Sequence, residues 1–429
     1  MKICIQGLWH LGSVTAACMA SFDNQVVGLD FDTEVVESLL QGNPPIFEPG
    51  LQNLLNVGLQ SGKLTFTSDP AVALRDCEIL WIAYDTPVDE DDNADVNFVI
   101  SQIEHSLEYV RSDILILVSS QMPVGSIRRL EEIAAHFPDK QISFACSPEN
   151  LRLGKALTVF QNPDRIVIGV RHSQDKKTLQ RLLLPITSRL EWMSVESAEM
   201  TKHAINAFLA ISVTFANEIA AICELVGADG KEVERGLKSE NRIGLKAYLS
   251  PGAAFAGGTL ARDITFLNNL SNEKILSTPL LSSVKQSNNT HKEWIRRKLL
   301  AMFPDLSQCS IALWGLTYKP GTNTLRRSMA VELGDWLILQ GADIHVHDPA
   351  VEVLPKGWAG NITQCSDPLE ALSKASILIV CTEWPEYREI EIEEMKKIAP
   401  GLTIFDANRF LSAFAEVKEL KYVAVGTPQ

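Results

Sequence analysis

No two cysteines of this chain stand in a C-x-x-C pair; all eight are scattered, from Cys4 to Cys381. That spacing argues against a thiolate zinc site and a disulfide framework, and it suits a reducing compartment. Excess positive charge is also missing. The formal balance is −14 at pH 7, which argues against nucleic acid as a partner. An anionic ligand would have to be held by local Lys, Arg and backbone N–H groups against an unfavourable overall field. The opening stretch, MKICIQGLWHLG, lacks the basic region, long apolar run and small-residue cleavage site of a secretory leader. No apolar run is expected to span a membrane, and no low-complexity segment interrupts the chain. These absences together predict a cytoplasmic protein without a bound metal. At 429 residues, two or three domains are expected.

What is present begins with one long helical stretch, SVESAEMTKHAINAFLAISVTFANEIAAICELVG, at 194–227. Ser194 or Ser197 can cap its N-terminus. Glu196 and Glu199 lie near the positive end, and Gly227 is a natural stop. No proline interrupts it, so it can extend roughly 45 Å at ~1.5 Å per residue. It is apolar on nearly every side, which predicts burial between domains or subunits. Lys202 and Asn206 are four residues apart and share one face. A lysine on a mostly buried helix requires a partner or a task. The pair reads either as a snorkelling Lys with a capping Asn or as a functional pair.

Residues 1–195 alternate short apolar runs with helical patterns. KICIQGL, QVVGLD, EILWIAY, ILILVSS and QISFACS are the strand candidates. Strands alternating with helices predict a parallel sheet covered on both faces. The first turn runs from Gly7 to Gly12, between a strand and an Ala-rich helix, and Asp30 ends the second strand. This is the pattern of a dinucleotide-binding turn, with an acid for a ribose hydroxyl. Its second glycine position is Trp9. The alternative is a helix-packing turn in an α/β domain without cofactor. Residues 196–290 read as helical and contain a Gly-rich loop, PGAAFAGGTLARD. After Asn289 the α/β pattern returns: SIALWGLTYKPGT, the helix MAVELGDWLILQG, then ADIHVHDP ending in Asp348, ASILIVCTEW and LTIFDAN. The predicted fold is α/β, with two Rossmann-like doubly wound domains (1–195 and 291–429) joined by a long central helix and a helical middle domain (196–290). Ligand is expected at the carboxyl ends of the strands, in the crevice between the two sheets.

Further stretches carry a resemblance. They are GNPPIFEPGL at 42–51, DTP at 85–87, SPENLRLGKA at 147–156, NPDRIVIG at 162–169, AEMTKHAINAFLA at 198–210, NEIAAICELVGAD at 217–229, RIGLKAYL at 242–249, GLTYKPGTNTLRRS at 315–328 and CTEWPEY at 381–387. In this order they resemble the UDP-glucose/GDP-mannose dehydrogenase family over nearly the whole chain. The resemblance implies NAD-dependent oxidation of a UDP-glucose-like nucleotide sugar at C6, a homodimer, and a place in polysaccharide biosynthesis. Family enzymes carry the alcohol through an aldehyde to a carboxylate with two NAD, by way of a thiohemiacetal and thioester on a loop cysteine. By resemblance Lys202 and Asn206 hold the reacting oxygen, and Glu149 is a candidate base for water. Asp263 is retained from the loop, and Gly257 with Gly258 lets backbone pass close to substrate. Arg242 reaches a neighbouring subunit's nucleotide, Tyr248 lies beside the nucleotide, and Lys319 contacts substrate. Thr86 lies near the nicotinamide and Arg326 on the cofactor side.

Departures cluster around the reaction. The family loop G-F-G-G-S-C-F-P-K-D has Thr259 at its cysteine and Arg262 at its lysine. Gln121 replaces the threonine of S-T-V-P-V-G, Leu153 a second glutamate and Ser212 a second helix lysine. Asn323 and Thr324 replace an acidic pair, and Arg327 replaces a glutamate. A thiol is easily activated to thiolate, whereas an alcohol needs an adjacent base. Thr259 should face the reacting carbon without serving as nucleophile. Arg262 stays charged and cannot shuttle protons, though it can stabilise an alkoxide. Cys146, three residues before Glu149, reads either as a substitute thiol or as a small buried apolar residue. Two functions follow: a dehydrogenase, stopping at the aldehyde or using another sugar nucleotide, or a catalytically inert nucleotide-sugar-binding protein.

Overall fold

The computed structural model describes residues 1–89, 94–149, 151–256 and 258–428. The chain divides into two compact units, Met1–Ile205 and Asn206–Gln429. The first is built on eight strands: β1 (Lys2–Gln6), β2 (Gln25–Leu29), β3 (Leu64–Thr67), β4 (Ile79–Ile82), β5 (Ile114–Val118), β6 (Ile142–Cys146), β7 (Ile166–Val170) and β8 (Leu190–Met193). Their order in the sheet is β3-β2-β1-β4-β5-β6-β7-β8. The central strands β4 and β5 are buried along their whole length, as a parallel sheet covered on both faces requires. One core packs on the face carrying Ile3, Ile5, Trp81 and Leu117, and a second on the face carrying Cys4, Leu80, Ile116 and Phe144.

The sheet is not wholly parallel. β7 runs antiparallel to β6, pairing Val170 with Ala145 and Gly169 with Cys146. The cause is the connection. The segment 147–165 is long enough for a crossover, but its helix, Ala156–Gln161, has six residues, about 9 Å at ~1.5 Å per residue, against about 16 Å for a five-residue strand. Strands β3 (LTFT) and β8 (LEWM) interrupt their apolar residues with polar ones and are only partly buried, so they do not stand out as apolar runs in the sequence.

The second unit holds a six-stranded parallel sheet: β9 (Ser310–Trp314), β10 (Asp343–His347), β11 (Ile362–Gln364), β12 (Ile377–Val380), β13 (Thr403–Phe405) and β14 (Lys421–Val423). Its order is β11-β10-β9-β12-β13-β14, the same positional order as the first six strands of the other sheet. The two sheets also share a turn. Gly7 N–H donates to Leu29 O at 2.9 Å, and Gly315 N–H to His347 O at 2.8 Å. The fold is thus α/β with a Rossmann-like sheet at each end of the chain and helices between.

The long helix spans Val195–Val226. Ser194 caps it, its Oγ accepting from Ser197 N at 3.3 Å, and Gly227 (φ +77°) ends it. By length and composition the helix is apolar enough to cross a membrane, a test that the core helix of a soluble protein also passes, and 44% of its most apolar window is buried in the protein. Its charges gather toward the ends and leave Glu218 as the one formal charge between Ala204 and Ile222. Glu199, moreover, serves a different helix from its own, accepting from Gly125 N and Ile127 N at 2.8 and 3.0 Å.

Candidate active site

The first turn meets the demands of a dinucleotide. Gly7 has φ +89°, and a Cβ there would lie 2.6 Å from the Tyr84 ring; a Cβ on Gly12 would lie 1.6 Å from Gly7 O. Both positions therefore require glycine. Trp9 has φ −71°, so that position needs no left-handed backbone, and its side chain is 49% exposed; what the departure touches is the close approach to a pyrophosphate that a glycine there allows. Asp30 accepts from Leu8 N at 2.7 Å and from Asp32 N at 3.1 Å. Burial raises its pKa, with those N–H donors acting in the opposite direction. A carboxylate at the end of β2 fits a ribose hydroxyl and repels a 2′-phosphate. Phe31 and Asp32 follow, with no arginine to receive that phosphate. Titration is expected to show NAD binding more tightly than NADP; the reverse order would overturn this role for Asp30.

Around Lys202 the same unit forms a small pocket lined by Gln121, Cys146, Glu199 and His203. Thr86 ties two loops together there, its hydroxyl donating to Gln121 O at 2.7 Å. The Cys146 thiol is buried, and burial followed by the Glu199 charge pushes its pKa well above the usual value. It stays protonated, which answers the question the sequence left open: Cys146 packs as a small apolar residue. Glu149 lines a neighbouring, mostly apolar pocket with Trp81, Phe160 and Arg165. Its carboxylate accepts from Leu151 N. Pro148 borders both pockets, so the pocket of Glu149 and the pocket of Lys202 are neighbours that share one lining residue.

Sequence reasoning missed Glu48. It is buried, and its two oxygens accept from Gly154 N (2.7 Å), Ala156 N (2.8 Å) and His10 Nε2 (3.0 Å). It thereby pins the 147–156 segment that carries Glu149. Its one signal is its place in GNPPIFEPGL. Glu48→Ala orphans the buried Ala156 N–H and frees the more exposed Gly154 N–H, and should lower stability by about 2 kcal/mol in urea unfolding; a change under about 0.5 kcal/mol would show that the clamp is idle.

In the second unit Asn206 Nδ2 donates to Asp263 Oδ2, and Asp263 is fully buried. Thr259 is the first residue of the helix Thr259–Glu273, and Asp263 follows one turn later. Thr259 itself is exposed. Gly258 (φ +95°) precedes it; a Cβ there would lie 3.5 Å from Arg327 Nη1 and 3.9 Å from Tyr318 Oη. The Gly-rich loop thus abuts the turn after β9, and Tyr318 is a second residue the sequence did not single out. Gly257 lies outside the described residues. Lys319 is half-buried, with its carbonyl accepting from Thr322 Oγ1 at 2.9 Å; Arg326 is exposed. Arg242 pairs with Glu240 at 3.0 Å and its side chain is 87% exposed; Tyr248 is 60% exposed. Neither shares the buried setting of Asn206 and Asp263.

The acid of the second sheet is engaged differently from Asp30. Asp348 Oδ2 accepts from Leu316 N, Thr317 N, Thr317 Oγ1 and Trp384 Nε1 at 2.6–3.2 Å. Those donors come from the protein, where a ribose would otherwise supply them.

The chain matches three family models in succession: the NAD binding domain of the UDP-glucose/GDP-mannose dehydrogenase family at residues 1–187, its central domain at 196–290 and its UDP binding domain at 312–413. This chain belongs to the UDP-glucose/GDP-mannose dehydrogenase family. It is 33% identical to a UDP-glucose 6-dehydrogenase of Pseudomonas aeruginosa, covering 100% of this chain and 98% of that one. It is 31% identical to the Rhizobium meliloti UDP-glucose 6-dehydrogenase, with both chains covered in full. Among solved structures it superposes on a UDP-glucose dehydrogenase from Pyrobaculum islandicum with a TM-score of 0.86 and 29% identity, covering 99% of this chain and 97% of that one. As a family member it is an NAD-dependent dehydrogenase, and the turn at Gly7, Gly12 and Asp30 fits that cofactor.

Proposed function

We propose that this dehydrogenase oxidises the C6 alcohol of a UDP-glucose-like nucleotide sugar and that aldehyde, or its hydrate, is the main early product. The observation that carries the reading is the helix start at Thr259: a hydroxyl stands where family resemblance places a thiol. No other cysteine offers a replacement. All eight are buried or half-buried, and burial pushes the thiols of Cys18, Cys77 and Cys381 up to about 12. An alcohol without an adjacent base is a poor nucleophile.

The proposed division of labour follows the chemistry of the side chains. Lys202 and Asn206 are one turn apart on the long helix and hold the substrate oxygen, the ammonium stabilising the alkoxide as it forms. Asp263 orients the Asn206 amide and accepts the alcohol proton directly or through one water. NAD, when bound, supplies the hydride acceptor. Glu149 is the base that would let water attack the aldehyde in a slower second oxidation. In this reading Lys319, Tyr248 and the Gly257–Gly258 backbone contact the nucleotide sugar, Thr86 and Arg326 stand on the cofactor side, and the chain is organised as 1–195, 196–290 and 291–429. A cytoplasmic setting suits eight cysteines without a disulfide, and the uronic acid or its aldehyde suits polysaccharide biosynthesis.

The test is NADH formation with NAD and a panel of UDP-, GDP-, CDP- and ADP-sugars, followed by mass analysis of the product. At most one NADH per sugar in the fast phase is expected. A carboxylate product with two NADH in one fast phase sinks the aldehyde reading. No NADH across the panel, with measurable nucleotide-sugar affinity, favours the inert binder.

The same reading includes a homodimer on the long helix. Phe208, Phe215 and Ile222 recur every seventh residue and are 67%, 44% and 55% exposed. An apolar stripe of that period suits a helix–helix seam, with Arg242 reaching the partner's nucleotide. Sedimentation at micromolar concentration is expected to give a dimer; a stable monomer would count against it.

A further inference from the structure

Glu199, Lys202 and His203 share one face of the long helix, as residues three and four apart do. That face meets the segment 119–127 of the same unit. Glu199 is 5% exposed, and both its oxygens are used, on Gly125 N and Ile127 N. These N–H groups open the helix Ser126–Ala134, whose own N-cap position is Gly125, with no side chain to offer. Glu199 supplies from another helix the acceptor that a Ser or Asp cap would give. One turn further on, His203 Nε2 lies 2.9 Å from Met122 O. A carbonyl only accepts, so this nitrogen carries the proton. From the other side the Thr86 hydroxyl donates to Gln121 O. The segment is therefore held at Gln121, Met122, Gly125 and Ile127, and Lys202 lies between the two anchors on the helix.

We propose that Glu199 is a positioning residue for Lys202, acting through the capped N-terminus of Ser126–Ala134 rather than on the substrate. The inference rests on the role given to Lys202 above. A glutamate that bonds two N–H groups of one turn fixes both the height and the rotation of its own helix against that turn. Lys202 then has one approach to the Gln121–Met122 backbone. Loosening the clamp lets the ammonium wander and exposes it to solvent.

The test uses two readouts on the full-length protein. The first is the rate at which acetic anhydride acetylates Lys202 in the ligand-free protein, followed by mass spectrometry. The second is kcat and KM with NAD and UDP-glucose. Glu199→Gln keeps the shape but replaces one acceptor oxygen with a donor amide. It is expected to speed Lys202 labelling about threefold or more and lower kcat about tenfold, with KM for NAD within about twofold. A lower melting temperature with unchanged labelling and unchanged kcat would overturn the proposal, since a purely structural cap predicts that result. Glu199→Asp keeps the charge but shortens the reach, and takes the place of the Gln variant, with the same expectations, if that one does not fold. If the wild type makes no NADH from UDP-glucose, labelling decides alone: faster labelling upholds the role of Glu199 while the substrate assignment falls.

Discussion

Asp263→Asn is expected to cut NADH formation from UDP-glucose by about 10²–10⁴-fold, the range lost with a positioned acid or base. The carboxylate is fully buried and receives the Asn206 amide. The substitution keeps the volume of the side chain but removes its charge and its capacity to take a proton. It also puts a second amide against that of Asn206, so the donor that should face the substrate oxygen loses its fixed orientation. Thermal unfolding separates loss of fold from loss of chemistry, and binding of the nucleotide sugar separates loss of affinity from loss of rate. On the proposed role, in which Asp263 takes the alcohol proton, kcat should fall far more than KM rises. The Asn206→Ala and double variants complete the test: the double should lose little more than Asp263→Asn alone, as residues acting as one unit do. A loss under about tenfold would show that Asp263 serves the fold alone.

Thr259→Cys is the second large change, and it is a gain. The residue opens the helix Thr259–Glu273 and is exposed, and a helix N-terminus favours a thiolate. The new thiol should attack the aldehyde carbon, giving a thiohemiacetal that a second hydride transfer turns into a thioester for water to cleave. The stoichiometry should move from one NADH per sugar to two, and mass analysis should find carboxylate in place of aldehyde. Iodoacetamide gives an independent readout. The wild type, with no exposed cysteine, should keep its activity under the reagent, whereas Thr259→Cys should lose it and gain one adduct at residue 259. Wild-type protein that already makes carboxylate in a single fast phase would remove the reason for the substitution.

Much of the fold could be read from local pattern. Gly7, Gly12 and Asp30 stand within one strand-turn-helix-strand unit, where each residue type answers a nearby steric or electrostatic demand. The repeat of that unit at Gly315 and Asp348 was legible for the same reason. What escaped was set by partners distant in sequence. Glu48 acts on Gly154 and Ala156, more than a hundred residues away, and nothing in its own neighbourhood announces that. Glu199 looked like a charge placed for its own helix end because a sequence shows only the helix a residue belongs to. The reversal of β7 was hidden because a strand's direction is set by the path of its connection, which its own residues do not encode. In the candidate site, the Asn206–Asp263 bond joins residues that the resemblance had named separately, whereas Arg242 and Tyr248 lie exposed, away from that buried pair.

The reversal of β7 also bears on how such a protein can change. In an ordinary crossover, one end of the connecting segment lies at the edge of the sheet away from the ligand, and added residues there go unnoticed by the chemistry. The segment from Ser147 to Arg165 leaves β6 and returns in β7 without crossing the sheet. Every residue gained or lost in it is therefore spent at the edge where Pro148 and Glu149 stand. A change of length in this one stretch alters the edge that carries Glu149 while the strand order stays as it is.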